Sequence, residues 1–155
     1  MRKVIPSLIL FTILFGREPS IYLYLLPFDN IQNDPTVEWI ASGLSGMVQQ
    51  EMKDEIGIRL KSKEDLEVIM NDRSLMLTQP RGSRNFLVLG KYNRQLDKVH
   101  VTIQLIDVAT WSELEVKQVS EVYSQVTVLN QSVGNAVRGM VAPFLPKPLE
   151  KKSSP

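Results

Sequence analysis

The 155-residue sequence contains no cysteine and a single histidine, His100. Without cysteine, the chain cannot form a disulfide, a thiol nucleophile, a thiolate zinc site or a thioether-linked lipid. One histidine cannot build a multi-histidine metal site, and it leaves few routes to general-base catalysis. We therefore expect a protein that is not an enzyme and that needs no metal or cofactor.

The sequence also lacks a surplus of charge of either sign. It has 18 Lys and Arg residues against 17 Asp and Glu residues, for a net charge of +1. This balance gives no electrostatic reason to expect a polyanionic partner, so nucleic-acid binding is not predicted. With 43% hydrophobic and 23% charged residues, the composition is that of a folded domain, and the length suits one domain.

The N-terminal segment 1–19 has the layout of a secretory signal peptide. A basic start is followed by an apolar run from Val4 to Phe15 and then by Gly16. The run is shorter than the roughly 20 residues of a transmembrane helix, and Leu14 stands where a small residue usually precedes the cleavage site. We predict export, with cleavage after Gly16 or retention as an N-terminal anchor both left open. The alternative to export is a buried N-terminal strand or helix.

Hydrophobic periodicity predicts an α/β (α+β) domain over residues 20–145 and a mobile tail over 146–155. The element order is β-α-β-α-β-β-β-α, which fits a mixed sheet of about five strands with helices packed mainly on one face. The last three strands are joined by short links and should form an antiparallel meander. The predicted strands are 21–28, 58–61, 86–92, 99–105 and 113–123, and the predicted helices are 37–55, 63–71 and 126–144.

Local signals place the helix ends. Thr36 is the predicted N-cap of the first helix, while Ser62 and Asp65 have the spacing of a capping box for the second. Gly43 and Gly46 are expected to let the first helix lie close to the sheet. The polar residues of the preceding loop are interpreted as turn residues and not as a calcium site, because the glycine and final glutamate of an EF-hand loop are missing. They are Asp29, Asn30 and Asp34.

Candidate contact residues come from a predicted loop at 72–85 and from exposed aromatic positions. Three arginines in this loop are suited to an acidic partner surface or polymer, the alternative being simple solvation. Trp111 stands in a tight turn where it is hard to bury, whereas Trp39 near a helix start is expected in the core, and Trp and Tyr are favoured in interfaces. The candidate partner contacts are Arg73, Arg81, Arg84, Tyr92 and Trp111.

Four motifs, in order, resemble the TolB amino-terminal domain class. The stretch LLPFDN at 25–30 and ASGL at 41–44 resemble its "LPF-x-N" turn and "A-x-G-L" helix. VLGKY at 88–92 and VTIQLIDVAT at 101–110 are similar to its "VLxGxV" and "QLIDxxTG" strands. The TolB propeller repeats and the lipid-anchoring cysteine of several relatives are absent. Trp111 stands where the turn usually has Gly, so the hairpin is expected to differ there.

The class includes FlgO-like flagellar proteins, CsgG-like secretion proteins and lipoprotein activators of penicillin-binding proteins. The resemblance implies a periplasmic, non-catalytic protein that acts by protein–protein contact in an envelope assembly, such as a flagellar-motor or outer-membrane secretion complex. The alternative is a regulator of a cell-wall synthesis enzyme. The expected partners are envelope proteins, including copies of the same chain through sheet edges. A membrane contact is expected only through an uncleaved N-terminal segment.

Overall fold

A mixed sheet of six strands runs through the structure, a computed structural model that describes residues 20–147. The predicted leader at 1–19 and most of the predicted tail lie outside the described residues. The strands are β1 (Ile21–Leu25), β2 (Asp29–Asn30), β3 (Ile58–Lys61), β4 (Arg84–Gln95), β5 (Lys98–Asp107) and β6 (Ser112–Val122). The helices are α1 (Ile40–Met52), α2 (Lys63–Asn71) and α3 (Val126–Val141), with short 3₁₀ turns at Arg73–Thr78, Tyr123–Gln125 and Ala142–Phe144.

The strand order is β3-β1-β4-β5-β6, and the two-residue β2 adds a parallel pairing to β4. β1 lies between β3 and β4 and is parallel to both, while β4, β5 and β6 form an antiparallel meander. The predicted fold class and order are therefore confirmed, with β2 as an addition. A two-residue strand is too short to produce a periodic signal in the sequence.

The main core lies between the sheet and the helices α1 and α3. β5 alternates, with Val99, Val101, Ile103 and Leu105 pointing into this core. The opposite face of the sheet is covered by α2 around β1, where a second cluster joins Tyr24, Leu66 and Leu87. β1 is buried along its whole length because helices cover both of its faces, as its unbroken apolar run predicts. No helix of residues 20–147 has the length and apolar character needed to cross a bilayer.

The second helix follows its local signals closely. The Ser62 hydroxyl accepts from the Asp65 backbone N–H at 3.2 Å, and the Asp65 carboxylate accepts from the Ser62 N–H at 3.0 Å. This is the reciprocal pair of a capping box, and it closes the first turn of α2 from both sides. The predicted capping box and the bounds of β3 and α2 are confirmed.

The start of α1 differs from the prediction. Thr36 is not its N-cap, because the Thr36 N–H and hydroxyl both donate to the carboxylate of Asp34, at 2.9 and 2.7 Å. Two successive turns then follow, with the Val37 N–H donating to the Asp34 carbonyl and the Ile40 N–H to the Val37 carbonyl. Since Asp34 organises this segment, α1 begins at Ile40 and its N-cap position has no side-chain hydrogen bond.

The predicted loop at 72–85 is partly regular. Asp72 accepts from the Ser74 N–H at 3.0 Å and so caps the 3₁₀ helix Arg73–Thr78. β4 begins at Arg84, two residues before the predicted strand, because the Arg84 N–H donates to the carbonyl of Ser20 in the extension of β1. Arg84 is therefore a strand residue and not a loop residue.

The glycines of α1 have a different role from the expected one. Gly43 faces the Asn130 side chain of α3 and not the sheet, and a Cβ on Gly46 would meet nothing within 4 Å. On the other side, a Cβ on Gly134 of α3 would crowd Glu51 of α1. Gly43 and Gly134 thus let the two helices approach one another, and the prediction of close packing on the sheet was wrong.

Candidate contact surfaces at opposite ends of the sheet

Grooves on the surface of the described residues are open and chemically mixed. One of about 430 Å³ lies between the carboxyl ends of β1 and β3 and the start of α2. Its lining combines aliphatic residues and Lys side chains with one carboxylate, that of Glu64. Within residues 20–147, no three His, Asp or Glu side chains converge as metal ligands would. The more distinctive features are exposed aromatic and arginine side chains at the two ends of the sheet.

We call the first surface the arginine end: Arg73, Arg81, Arg84 and Trp111. β4 begins here and β5 ends here, so these residues lie together at one end of the strands. The Arg73 guanidinium donates to the Val108 carbonyl at 3.3 Å and lies 5.8 Å from the centre of the Trp111 ring. Arg73 is thereby held between the last turn of the meander and the indole, a cation–π arrangement.

Arg84 is a structural member of this end. Its guanidinium pairs with Asp107 at 3.1 Å and lies 5.0 Å and 5.3 Å from the rings of Phe86 and Phe144. Asp107 is almost buried, and its second oxygen accepts from the Ala109 N–H at 2.9 Å. Arg84 therefore joins β4, β5 and the 3₁₀ turn that follows α3, and its charge is matched by a carboxylate. Arg81 lies on the exposed turn before β4, and within residues 20–147 its side chain makes no hydrogen bond or ion pair.

Trp111 occupies a backbone conformation that favours glycine. Its φ is +56°, in the left-handed region, and its side chain is 43% exposed. The backbone here adopts a conformation that glycine would readily take, and Trp111 differs from the glycine of the TolB-class motif in its side chain. A bulky residue in this region costs about 1 kcal/mol or more of local free energy.

Tyr92 is the one candidate contact residue that the structure removes. It is 1% exposed, because its strand position points to the same core face as Val88. Its hydroxyl donates to the Val37 carbonyl at 3.0 Å, and burial, followed by the nearby Glu38 carboxylate, raises the pKa of this hydroxyl. Tyr92 anchors the turn before α1 to the sheet and cannot reach a partner.

The second surface, the aromatic end, consists of Trp39, Arg94, Leu96 and Tyr123. Trp39 was expected in the core, but its side chain is 54% exposed. The Trp39 indole N–H and the Tyr123 hydroxyl donate to the same carbonyl, that of Thr36, at 3.1 and 3.3 Å. The two rings meet edge to face, with centroids 6.3 Å apart and planes at 69°. Both rings are therefore fixed in orientation while Trp39 remains open to solvent.

Arg94 completes this surface. Its guanidinium lies 4.0 Å from the centre of the Tyr123 ring, and its Nε donates to the Leu96 carbonyl at 2.9 Å. Leu96, at the tip of the β4–β5 turn, has a φ of +56° and is 92% exposed. Each turn of the meander thus places an exposed hydrophobic residue at a left-handed position. Sequence reasoning overlooked this surface, although a leucine in an otherwise polar turn at 93–98 was an available signal.

The remaining polar candidates serve local structure. The Asn30 amide donates to the Asp34 carbonyl at 2.8 Å and to the Glu38 carboxylate at 2.9 Å, so it organises the turn after β2. His100 lies on the sheet face away from α1 and α3, with its Nδ1 2.7 Å from the Ser120 hydroxyl.

Comparison with known proteins supports the fold assignment. No protein-family model and no curated protein sequence matches the chain. Among solved structures, TolB from Acinetobacter baumannii is similar with a TM-score of 0.55 and 19% identity. The match covers 83% of this chain and 30% of that TolB, so this chain spans less than a third of its length. The resemblance to TolB that the motifs predicted is confirmed at the level of fold.

Two further structures are matched more weakly. A PelC dodecamer from Paraburkholderia phytofirmans has a TM-score of 0.47 and 13% identity, over 83% of this chain and 89% of that one. Lipoprotein GNA1162 from Neisseria meningitidis has a TM-score of 0.45 and 18% identity, over 83% of this chain and 100% of that one.

Proposed function

We propose that this protein is an exported, non-catalytic module of a bacterial cell envelope that acts by binding other envelope proteins through its aromatic end. The observation that carries the proposal is the contact cluster of Trp39, Tyr123 and Arg94, in which the two rings meet edge to face and the guanidinium lies over the Tyr123 ring. Trp, Tyr and Arg are the residue types most enriched among interface residues that contribute most of the binding energy. Here all three occur in one connected cluster.

The cluster is ordered before any partner arrives. Both aromatic side chains are hydrogen-bonded to the Thr36 carbonyl, and the Tyr123 N–H donates to the Asp97 carbonyl at 2.6 Å. Side chains that are already fixed lose little conformational entropy on binding, and this improves affinity for a given contact area. The exposed Leu96 beside Arg94 adds apolar area to the same surface.

The sheet edges are less suited to contact. β6 is the longer edge strand, and its eleven residues include Glu113, Glu115, Lys117 and Glu121. Charged side chains on an edge strand oppose pairing with another strand. The other edge, β3, has four residues. Contact through the aromatic end is therefore favoured over extension of the sheet between copies of the chain.

An envelope location is supported by the leader-type sequence at 1–19 and by the likeness of the fold to TolB. Within that location, we propose a subunit or accessory factor of a larger assembly, such as a flagellar-motor or outer-membrane secretion complex. The alternative role, regulation of a cell-wall synthesis enzyme, would use the same surface. The identity of the bound partner would distinguish this role from that of an assembly subunit.

Site-specific crosslinking in cells tests the proposal. A photo-reactive amino acid at Leu96 in the full chain should yield a crosslinked envelope protein, identified by mass spectrometry. The matched control position is Leu77, which is also an exposed leucine (87% exposed) but lies on the 3₁₀ helix beside α2. Trp39→Ala should reduce the Leu96 crosslink at least tenfold, because residues of this type contribute about 2 kcal/mol or more to an interface.

The stability of each variant is measured in parallel by urea unfolding, so that loss of crosslinking is not confused with loss of folding. Equal crosslinks from Leu96 and Leu77, or a crosslink at Leu96 that is unchanged by Trp39→Ala, would contradict the proposal. If the crosslinked protein is a cell-wall synthase, the regulatory role is supported in place of the assembly role.

A further inference from the structure

We propose that the arginine end lies against a membrane surface and binds anionic phospholipid headgroups. This goes beyond the proposed function, with which it shares only the envelope location. It concerns the opposite end of the sheet, separated from the aromatic end by the twelve residues of β4, a length of roughly 35 Å. The two ideas can therefore fail independently.

The length of the chain limits how far this end can lie from the apolar N-terminal run. Ser20, the first described residue, accepts a hydrogen bond from the Arg84 N–H at 3.0 Å, and Ile21 pairs with Arg84 in the sheet. Four residues separate Phe15 from Ser20, so the two are at most about 18 Å apart even when the chain is fully extended. A Val4–Phe15 run that is retained uncleaved in a bilayer would hold the arginine end within about that distance of the headgroups.

The charge of this end suits an anionic surface. Within residues 20–147, no carboxylate forms an ion pair with Arg73 or Arg81. Lys147, where the described chain ends, is exposed and follows Pro146, which lines the same small cavity as Ser20 and Arg84. Arginine binds phosphate through several parallel N–H donors, and each cation near an anionic bilayer strengthens binding.

Trp111 supplies the amphipathic group that such a surface needs. Its indole is partly exposed beside Arg73, at the tip of the β5–β6 turn. Tryptophan favours the headgroup region of a bilayer, where the ring contacts apolar chains while the N–H stays hydrated. A tryptophan at a left-handed position, where glycine would be less strained, indicates that the side chain matters more than the turn.

The two tryptophans of the chain, Trp39 and Trp111, allow a direct test in the full-length protein. Trp39→Phe leaves Trp111 as the only tryptophan, and Trp111→Phe leaves Trp39. Each variant is reconstituted with phosphatidylcholine vesicles, with and without phosphatidylglycerol, whose acyl chains carry bromine as a fluorescence quencher. We expect Trp111 to be quenched and blue-shifted with phosphatidylglycerol, and Trp39 to be unaffected in either lipid.

Charge variants separate headgroup binding from simple anchoring. Arg73→Ser with Arg81→Ser, in the Trp39→Phe background, should abolish most of the Trp111 quenching, as should omission of phosphatidylglycerol. Arg94→Ser at the opposite end is the matched control and should leave the quenching unchanged. Quenching that survives both the double substitution and the neutral lipid would assign the contact to the N-terminal segment alone and overturn the proposal.

Two other outcomes would also overturn it. Absence of Trp111 quenching, or equal quenching of Trp39 and Trp111, would show that the arginine end does not face the bilayer. A photo-reactive residue at position 111 that crosslinks to a protein, and not to lipid, would make this end a protein contact. The crosslink at Leu96 reports on the aromatic end in the same cells, so each result is read separately.

Discussion

The ring of Phe28 lies directly over Gly90, in the space that a β-carbon at Gly90 would occupy. Phe28 follows β1, and Gly90 is in the middle of β4, so this contact fixes how the chain crosses the sheet on its way to α1. The two residues belong to two of the motifs that resemble the TolB class, the LPF turn and the VLG strand. The contact gives a physical reason for both motifs to occur in one sequence.

Gly90→Ala should therefore destabilise the protein by about 1–3 kcal/mol, the usual cost of overpacking a core. Urea unfolding of Gly90→Ala, Phe28→Ala and the double variant measures the coupling, and the double variant should be little less stable than Phe28→Ala alone. Gly46→Ala is the control, because no atom lies within 4 Å of its added methyl group. It should stabilise α1 by about 0.5–1 kcal/mol. Equal effects at Gly90 and Gly46 would contradict the assignment.

Substitutions at Trp111 should separate backbone strain from side-chain contact. Trp111→Gly relieves the left-handed conformation but loses the contact with Arg73, so stability should change by less than about 1 kcal/mol. Trp111→Ala keeps the strain and loses the contact, so it should be about 1 kcal/mol less stable than Trp111→Gly. Chemical denaturation of the two variants makes the comparison. An alanine variant as stable as the glycine variant would show that the turn is not strained.

The capping box of α2 should make stability depend on pH. The Ser62 N–H that donates to Asp65 holds the pKa of this carboxyl below its ordinary value. A lowered folded-state pKa stabilises the fold above the unfolded-state pKa of about 4, and this stabilisation is lost as the pH falls through the folded-state value. In Asp65→Asn, the unfolding free energy should fall less between neutral and acidic pH. Parallel pH curves for both proteins would rule out this contribution.

An amide pair between the buried Asn85 and the half-buried Gln79 should be sensitive to truncation. Asn85 and Gln79 exchange two hydrogen bonds, at 2.8 and 3.1 Å, and the Tyr24 hydroxyl donates to the same Asn85 oxygen at 3.1 Å. Asn85→Ala leaves the Tyr24 hydroxyl without its acceptor in the core and should cost about 2–3 kcal/mol. Tyr24→Phe removes only one donor and should cost about 1 kcal/mol. The reverse order in urea unfolding would show that the network is not organised around Asn85.

Where two nearby residues hydrogen-bond to each other at the start of a helix, the first residue of that helix could be predicted from the sequence. Ser62 and Asp65 fix the start of α2 within four residues of chain, so no distant contact can easily move it. Thr36 is also a favourable N-cap residue, but its partner Asp34 lies two residues before it and holds it in a turn. The Asp34 carboxylate and the Thr36 hydroxyl are both possible acceptors for nearby backbone N–H groups. The periodic pattern of hydrophobic residues does not show which of the two accepts.

The exposure of single aromatic residues could not be predicted in this way. Tyr92 is buried because β4 continues beyond the predicted end of the strand, which keeps its side chain on the core face. Trp39 is exposed because α1 starts three residues later than predicted, and Tyr123 from the far end of the chain supports its ring. Both outcomes depend on contacts between residues that are far apart in sequence, so only the structure reveals them.

The position of β1 between two parallel neighbours also has a consequence for the timing of folding. A parallel pair of β1 and β3 is too small to be stable alone, so β1 must wait for β4, the neighbour on its other side. At about 5–20 residues per second, the roughly 60 residues between them take ~3–12 s to synthesise. During that interval the most buried strand of the protein has no sheet to join. A chain that leaves the cytoplasm, as proposed, can therefore be threaded outward before the sheet closes around β1.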